Sequence, residues 1–224
     1  AQGFDCDYCF IDMDDSANAG LALTAILNRV ESQGFAGVNV TYPYKIEVIP
    51  LLDELSPNAK AVGAVNTVVF KDGKRVGHNT DMWGFAEAFR REFGSGPHHH
   101  ALLIGAGGAG AAVAHGLADC GVRQLSIHDR DADRAADLAE QISQRWGETK
   151  ALPVVNLPAL IAEDRPDGIV NATPVGMDVQ PGSAFPLELL YPEMSVTDIV
   201  YFPLETALLR AARLRGCRTL NGSG

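Results

Sequence analysis

Residues 101–129 carry the spacing with the most specific chemistry in the chain. Gly105, Gly107 and Gly110 follow a short apolar run as G-x-G-x-x-G, and Asp129 ends a second apolar run about 20 residues later. The first glycine permits a tight turn, the second lets the backbone approach a pyrophosphate, and the third lets helix and strand pack closely. The N–H groups that begin the following helix favour phosphate. This order predicts a dinucleotide site rather than a purely structural glycine turn.

The elements that must position this site alternate between strand and helix patterns. Such alternation is typical of an α/β fold and predicts parallel sheets in both halves. The run Gly94-Ser95-Gly96-Pro97 predicts a boundary between domains 1–96 and 97–224. The predicted strands are 5–13, 38–40, 64–70, 75–80 after an Asp72-Gly73 turn, 101–104, the run ending at Asp129, 153–157, 168–172, 195–200 and 218–220. The predicted helical segments are 18–33, 45–52, a short piece within 56–64, 81–93, one after the glycines, 132–146 capped by Asp131, 158–163, 186–191 and 206–215.

Composition excludes several classes of function. With 46% apolar and 21% charged residues, the 224-residue chain is ordinary globular material. The net charge of −10 argues against a nucleic-acid surface, which needs basic residues to neutralise phosphates. No apolar run approaches the roughly 20 residues that span a bilayer. No signal peptide is evident, so we expect a cytoplasmic protein.

The cysteines and a histidine cluster are weak candidates for metal sites. Cys6 and Cys9 form a C-x-x-C in a strand-like run, where positions three apart point to opposite faces. A single pair also lacks the remaining ligands of structural zinc, so we expect core cysteines. The three adjacent histidines 98–100 cannot converge on one ion from a strand. We therefore expect no metal.

Five further motifs accompany the glycine pattern. They are VNVTYPYK at 38–45, GAVNT at 63–67, GHNTD at 77–81 followed by Gly84-Phe85, NATPVGM at 171–177 and DIVYFPLET at 198–206. Together they resemble the shikimate dehydrogenase family, in particular its quinate/shikimate branch, over nearly the whole chain. The resemblance implies an N-terminal α/β substrate domain and a C-terminal Rossmann, doubly wound NAD(P)-binding domain.

The resemblance also implies a reaction and its catalytic pair. The reaction is reversible hydride transfer between nicotinamide and the C3 carbonyl of 3-dehydroshikimate, with quinate and 3-dehydroquinate as a second pair, in aromatic amino acid biosynthesis or quinate catabolism. Lys45 and Asp81 match the family's catalytic lysine and aspartate. A positioned ammonium can stabilise the developing alkoxide and deliver its proton. Taken alone, Lys45 could be a solvated surface lysine and Asp81 an N-cap.

The matching positions nominate further site residues. For any single one, satisfying loop backbone or filling core is an alternative. The substrate contacts implied are Thr41, Asn66, Thr80 and Tyr201. The cofactor contacts implied are Gly105, Ala106, Gly107, Gly108, Ala109, Gly110, Asp129, Arg130, Asn171, Ala172, Thr173, Pro174, Gly176, Met177, Ile199 and Val200.

The acid that ends the second strand bears on the choice of cofactor. A carboxylate there accepts hydrogen bonds from the adenosine ribose and repels a 2′-phosphate. Relatives that prefer NADP tend to carry Asn-Arg-Thr, whereas this chain has Asp129-Arg130-Asp131. The sequence therefore favours NAD, while Arg130 leaves NADP use open.

The two ends of the chain depart from the family pattern. The sequence starts after the family's Ser-x-Ser or Ser-x-Thr pair and stops before its C-terminal helix, so the preference between shikimate and quinate stays open. An aminoshikimate-type dehydrogenase or a non-catalytic dinucleotide-binding module are the alternatives, and the intact Lys45 and Asp81 favour an enzyme. The expected partner is a small-molecule substrate, and the protein could be a monomer or a homodimer.

Overall fold

The structure is a computed structural model that describes residues 7–94 and 98–223. Within that part of the chain, no helix is long and apolar enough to cross a membrane. The helices are α1 (Leu23–Ser32), α2 (Pro57–Val62), α3 (Asp81–Phe93), α4 (Gly108–Asp119), α5 (Ala132–Arg145), α6 (Leu157–Asp164) and α7 (Ala207–Leu214). The strands are β1 (Gly37–Asn39), β2 (Glu54–Leu55), β3 (Thr67–Lys71), β4 (Lys74–His78), β5 (His100–Ile104), β6 (Gln124–His128), β7 (Lys150–Pro153), β8 (Gly168–Asn171), β9 (Ser195–Asp198) and β10 (Arg218–Leu220).

Strands β5 to β10 form one parallel sheet in the order β10-β9-β8-β5-β6-β7. Numbered from β5, this is the 3-2-1-4-5-6 order of a doubly wound dinucleotide-binding sheet, as predicted. All residues of β5 and β8 are buried, which suits central strands covered on both faces. The strand order reverses between β5 and β8, so the carboxyl ends of these two strands flank the crevice where ligands bind.

The second sheet joins β1, β3, β4 and β2, in that order, and corrects one prediction. The sequence predicted parallel pairing in both halves, but β3 pairs antiparallel with both β1 and β4, and only β2 runs parallel to β4. The predicted Asp72-Gly73 turn explains the pairing of β3 with β4: both residues have positive φ, at 53° and 73°, and such a two-residue turn joins antiparallel strands. The boundary at residues 94–97 stays a prediction, since 95–97 lie outside the described residues.

Helix α3 follows the small sheet in sequence but packs into the core of the large one. Its Phe89 and Phe93 belong to the same buried cluster as Leu117 of α4. A side chain in place of Gly116 on α4 would collide with the ring of Phe85, so the two helices approach closely. Packing of α3 against α4 therefore restrains the position of Asp81, the first residue of α3.

Several predicted elements of the first half differ from the structure. Residues 7–13, the described part of the predicted strand 5–13, form no strand, and Tyr8 and Phe10 are 72% and 92% exposed. No strand in the described ranges pairs with this segment, and an apolar run without a ladder partner stays irregular. The predicted helix 18–33 begins only at Leu23, because residues 12–20 form turns in which the Asn18 side chain bonds the Asp12 carbonyl. The pattern at 45–52 yields turns and a 3₁₀ turn, Ile49–Leu51.

Two other predictions are wrong for identifiable reasons. The strand predicted at 153–157 is β7, which ends at Pro153, because Asn156 caps α6 by accepting a hydrogen bond from the N–H of Ala159. Cys9 was expected in the core but is exposed, and its partner Cys6 lies outside the described residues.

Two of the three adjacent histidines 98–100 make structural contacts: His100 bonds the hydroxyl of Ser126 at 2.8 Å, and His98 packs on the ring of Phe89.

A buried histidine lies in the same cluster of helices. His115 of α4 is 1% exposed, and its Nδ1 accepts a hydrogen bond from Nε1–H of Trp146 at 2.9 Å. Among the described residues its Nε2 has no hydrogen-bond partner. Burial, and secondarily the positive charge of Arg145, lower the pKa of His115 to about 4, against the weaker opposite influence of the Ala61 backbone. The imidazole is therefore neutral in the folded protein at neutral pH.

We expect His115 to make the protein acid-sensitive. His115 binds a proton near pH 6.5 in the unfolded state and only near pH 4 in the folded state. Its contribution to the free energy of unfolding is therefore fully present above pH 6.5 and is lost as the pH falls from 6.5 to 4. The largest loss is about 3 kcal/mol. Urea unfolding between pH 7.5 and pH 5 should show a flatter dependence for His115→Asn, which keeps an acceptor for Trp146. The exposed His99→Asn serves as the control, and equal slopes in the wild type and His115→Asn would contradict the assignment.

Candidate functional site

The structure brings the predicted catalytic pair into direct contact. Nζ of Lys45 lies 2.7 Å from Oδ2 of Asp81, with side-chain exposures of 18% and 33%. Lys45 lies in the turns that follow β1, where its carbonyl accepts the N–H of Val65. Asp81 is the first residue of α3, directly after β4 and its two-residue connection. The pair is thus half-buried and joins residues 36 positions apart in the sequence.

Asn66 fixes the second oxygen of Asp81. Its Nδ2 donates to Oδ1 of Asp81 at 2.7 Å and to the hydroxyl of Thr80 at 2.8 Å. Its Oδ1 accepts the N–H of Thr80 and the hydroxyl of Thr67. Asn66 is 9% exposed, and these four bonds use its full hydrogen-bonding capacity. It therefore orients Asp81, while its predicted direct contact with substrate stays a prediction.

The alternative role considered for Asp81, capping its own helix, belongs to a neighbour. Oδ1 of Asn79 accepts the N–H of Met82 at 3.2 Å, and Nδ2 of Asn79 donates to the Ala64 carbonyl. Sequence reasoning missed Asn79, although an asparagine just before an amphipathic helix is a common capping signal. Because Asn79 supplies the cap, the carboxylate of Asp81 is left for Lys45 and Asn66.

The other predicted substrate contacts, apart from Asn66, have exposed side chains. Thr41 lies after β1 and Thr80 precedes Asp81, and both are exposed. Tyr201 follows β9 and is 61% exposed. Their contacts with a ligand stay predictions, but each is accessible.

The glycine loop has the geometry that a dinucleotide requires. Gly105 has φ +106°, and a Cβ there would lie 2.9 Å from the carbonyl of Ala172. A Cβ on Gly110 would overlap the carbonyl oxygen of Gly105, whereas Gly107 faces open space. Helix α4 begins at Gly108, so its first N–H groups lie beside that space and lack partners within the helix. The tight turn, the open approach and the close packing are all present, and the residues fit a pyrophosphate.

Gly108 joins the glycine loop to the Lys45 turn. A Cβ on Gly108 would meet the Cβ atoms of Ala64 at 3.2 Å and Lys45 at 3.4 Å. A cavity of about 260 Å³ opens beside this contact. A larger pocket, of about 430 Å³, lies near Leu52 and Lys60 and includes none of the predicted site residues. The smaller cavity is lined by Ile46, Val62, Gly63, Ala106, Gly107, Gly108, Ala111, Arg134, Asp137, Leu138 and Gln141.

Asp129 is held over the glycine loop by two backbone donors. Its Oδ2 accepts the N–H of Ala106 at 2.7 Å, and its Oδ1 accepts the N–H of Asp131 at 2.9 Å. Asp131 in turn caps α5, as predicted, and lies 3.3 Å from Nε of Arg134. Arg130 is exposed. The end of β6 therefore presents a fixed carboxylate beside an exposed arginine.

The predicted nicotinamide loop is built around buried Asn171. Its Oδ1 accepts the N–H and the hydroxyl of Thr173, and its Nδ2 donates to the carbonyl of Val175. Asn171 is 1% exposed, so its side chain shapes the loop from within. Ala172 and Val200 are also buried. The partly exposed predicted residues of this region are Thr173, Pro174, Gly176, Met177 and Ile199.

Sequence reasoning missed two buried polar residues behind this loop. Asp198 and Thr206 begin and end the DIVYFPLET stretch, and their side chains are joined by a 2.7 Å hydrogen bond. The available signal was an acid within the predicted strand 195–200, directly before Ile199 and Val200, since buried acids are rare unless they are hydrogen-bonded.

Two family models match this chain. The shikimate dehydrogenase substrate binding domain matches residues 1–68, and the shikimate / quinate 5-dehydrogenase model matches residues 87–174. The match to the first model covers Lys45 and Asn66, and the match to the second covers the glycine loop and Asp129.

Curated and solved proteins give the same result. The shikimate dehydrogenase (NADP(+)) of Streptomyces avermitilis is 45% identical over 225 residues, which cover 100% of this chain and 77% of that protein. The quinate/shikimate dehydrogenase (NAD(+)) of Corynebacterium efficiens is 43% identical, over 100% of this chain and 79% of that protein. The solved quinate dehydrogenase from Corynebacterium glutamicum in complex with NAD has a TM-score of 0.83 and 42% identity, and the match covers 95% of this chain and 76% of that chain.

Proposed function

The chain belongs to the shikimate dehydrogenase family, on its quinate/shikimate branch, and we propose that Lys45 and Asp81 catalyse its reaction. The protein is an NAD(P)-dependent oxidoreductase that interconverts shikimate and 3-dehydroshikimate, or acts on both shikimate and quinate. The observation that carries the proposed catalytic pair is the 2.7 Å contact between Lys45 and Asp81 beside the glycine loop.

Lys45 serves the reacting oxygen of the substrate. In the reducing direction the ring carbonyl carbon receives hydride, and its oxygen gains negative charge and then a proton. The ammonium of Lys45 donates one N–H to Asp81, which leaves two for that oxygen. That transfer leaves Lys45 as a neutral amine, and in the oxidising direction the neutral amine takes up the hydroxyl proton while the hydride leaves the same carbon for the nicotinamide. Lys45 thus stabilises the charge and moves the proton, and Asp81 holds it in place.

Asp81 can do this because Asn66 restrains it. One carboxylate oxygen binds Lys45 and the other binds Nδ2 of Asn66. Orientation of a catalytic group by a hydrogen-bonded neighbour keeps the reacting atoms within productive distance. Substrate hydroxyls can bind to the lone pairs that remain on Asp81 and to the hydroxyls of Thr41 and Thr80. Without such partners, burying a substrate hydroxyl would be unfavourable.

The glycine loop would hold the dinucleotide. Gly107 and the first N–H groups of α4 would bind the pyrophosphate, and Asp129 would bind the adenosine ribose. The loop 173–177 and residues 199–201 would enclose the nicotinamide, which supplies or accepts the hydride when it is bound. The close contact between Gly108 and Lys45 supports this arrangement, because it places the lysine next to the phosphate-binding turn.

For the cofactor, we propose a preference for NAD. Both oxygens of Asp129 are fixed by the backbone of Ala106 and Asp131, so the carboxylate cannot easily turn away from a ribose phosphate. A fixed anion at this point repels a 2′-phosphate and accepts bonds from a ribose diol. Asp131 also partly neutralises Arg134, a cation that could otherwise attract the phosphate.

The reaction is tested by following the absorbance of reduced nicotinamide. The purified chain is mixed with NAD and shikimate, and separately with NAD and quinate. Formation of NADH with either substrate supports the proposed function. Binding of NAD without turnover of either would favour the non-catalytic module, and turnover only with an amino-substituted analogue would favour the aminoshikimate-type enzyme.

Replacing Lys45 tests its role in the reaction. We expect Lys45→Ala to lower kcat by about 10²–10⁴-fold, because the alkoxide loses its proton donor. The melting temperature should change little, since the ion pair is partly exposed and such pairs contribute weakly to stability. Lys60→Ala, on the exposed face of α2, is the control. Near-normal turnover in Lys45→Ala would remove this residue from the mechanism.

Replacing Asp129 tests the cofactor preference. We expect Asp129→Asn to shift the ratio of kcat/KM for NAD over NADP towards NADP by about tenfold, a change of about 1.4 kcal/mol in relative transition-state binding. The exposed Asp133→Asn, in the first turn of α5, removes the same charge and should leave the ratio unchanged. A wild-type preference for NADP would contradict the role given to Asp129.

A further inference from the structure

The most deeply buried carboxylate in the described sheet lies behind the predicted nicotinamide site. Asp198, the last residue of β9, is 0% exposed. No salt bridge reaches it from the part of the chain that the structure describes. A buried charge without a counter-ion is costly unless hydrogen bonds replace its water. Neighbouring groups must therefore supply the hydrogen bonds that water would otherwise make to Asp198.

Three donors from three different segments surround this carboxylate. Oδ1 accepts Nδ2 of Asn171 at 3.0 Å and the N–H of Val200 at 3.1 Å, and Oδ2 accepts the hydroxyl of Thr206 at 2.7 Å. Burial raises the pKa of the Asp198 carboxyl, and these three hydrogen bonds oppose that shift. All three groups donate to the carboxylate, and their hydrogen bonds replace the water that burial removes. Thr206 caps α7, so the positive end of that helix also lies towards the anion.

These bonds control two backbone segments that lead to the site. Asn171 binds the carbonyl of Val175, and it also binds Thr173, so Asp198 holds the residue that shapes the loop 173–177. Val200 lies between the predicted contacts Ile199 and Tyr201, so its bond to Asp198 fixes the second segment. Both sides of the predicted nicotinamide site therefore depend on a single carboxylate.

Gly176 shows how closely the loop follows this support. It has φ +114°, and a Cβ there would lie 3.2 Å from Cγ2 of Thr206 and 3.7 Å from Oδ2 of Asp198. The loop backbone thus rests directly on the Asp198–Thr206 pair. A shift of that pair would move Gly176 and Met177.

We propose that Asp198 is a positioning residue that sets the nicotinamide-facing segments 173–177 and 199–201 in the geometry for hydride transfer. The inference rests on the proposed function, since it takes these segments to face the nicotinamide. Asp198 does not itself touch substrate or cofactor. It acts through Asn171, Val200 and Thr206.

A change at Asp198 would affect the two halves of the dinucleotide differently. The adenosine half would lie at Asp129 and the glycine loop, whose described residues make no hydrogen bond with Asp198. The nicotinamide half would lie against the segments that Asp198 holds. Loss of this support should weaken the nicotinamide end selectively, whereas general destabilisation would weaken both ends.

Asp198→Asn is the central variant. It keeps the size of the side chain, but its amide would donate towards Thr206, and the Thr206 hydroxyl would lose its acceptor. Thr197→Val is the matched control on the same strand, because the Thr197 hydroxyl is buried and has no partner among the described residues. The measurements are calorimetric affinities for ADP-ribose and NAD, and kcat and KM with the better substrate.

We expect Asp198→Asn to bind ADP-ribose within about twofold of wild type and to lose about tenfold or more in kcat/KM for NAD, chiefly in kcat. Thr197→Val should match wild type in both affinities and in kcat and KM. Equal behaviour of the two variants, or an equal loss of affinity for ADP-ribose and NAD, would overturn the proposal.

A second pair of variants keeps the test decisive if Asp198→Asn does not fold. Thr206→Val removes the donor to Oδ2 and should reproduce the selective loss, and Thr206→Ser, which keeps the hydroxyl, should restore wild-type values. Failure of serine to differ from valine would count against the proposal. If the wild type turns over neither shikimate nor quinate, the proposed function fails instead, and the comparison of NAD with ADP-ribose binding still tests Asp198.

Discussion

The ion pair between Lys45 and Asp81 depends on contacts in both halves of the chain. Asp81 begins α3, and the apolar face of α3 is packed with α4 in the core of the parallel sheet. Lys45 lies in the turns after β1, which are tied to β3 and β4 through Val65 and Asn66. The 2.7 Å contact therefore joins a turn of the small sheet to a helix that packs on the dinucleotide-binding half.

Gly108 sets the distance at which this docking occurs. A Cβ on Gly108 would lie only 3.2 Å from the Cβ of Ala64 and 3.4 Å from the Cβ of Lys45, which is tighter than most Cβ contacts in proteins. Interiors packed at this density transmit small displacements instead of absorbing them. A glycine at the start of α4 thus serves two purposes: it leaves the helix N-terminus open to phosphate, and it lets the Lys45 turn approach it. The proposed cofactor site and the position of Lys45 therefore depend on one contact.

The sequence predicted best those features whose cause is local. The glycine spacing, the Asp72-Gly73 turn, the Asp131 cap and helix 81–93 each depend on a few adjacent residues, and the structure has all of them. The failures depend on partners distant in the chain. The run at 7–13 is apolar enough for a strand but has no partner among the described strands, and the pairing of β1 with β3 could not be read from periodicity. Asn66 was found through a resemblance, but its bond to Asp81 is a tertiary contact that no spacing reveals.

Asp198 illustrates the same limit from inside the core. The hydroxyl of its neighbour Thr197 is buried with no hydrogen-bond partner in the described part of the chain. Burying this unpaired hydroxyl is unfavourable, and it holds no other segment in place. Asp198 carries a larger desolvation cost, yet three donors from β8, the segment after β9 and the cap of α7 converge on it. Apolar residues of similar volume often stabilise a core as well as a buried ionic group does. What an apolar residue cannot do is hold three backbone segments at fixed hydrogen-bonding distances, so the contribution of Asp198 lies in geometry more than in stability.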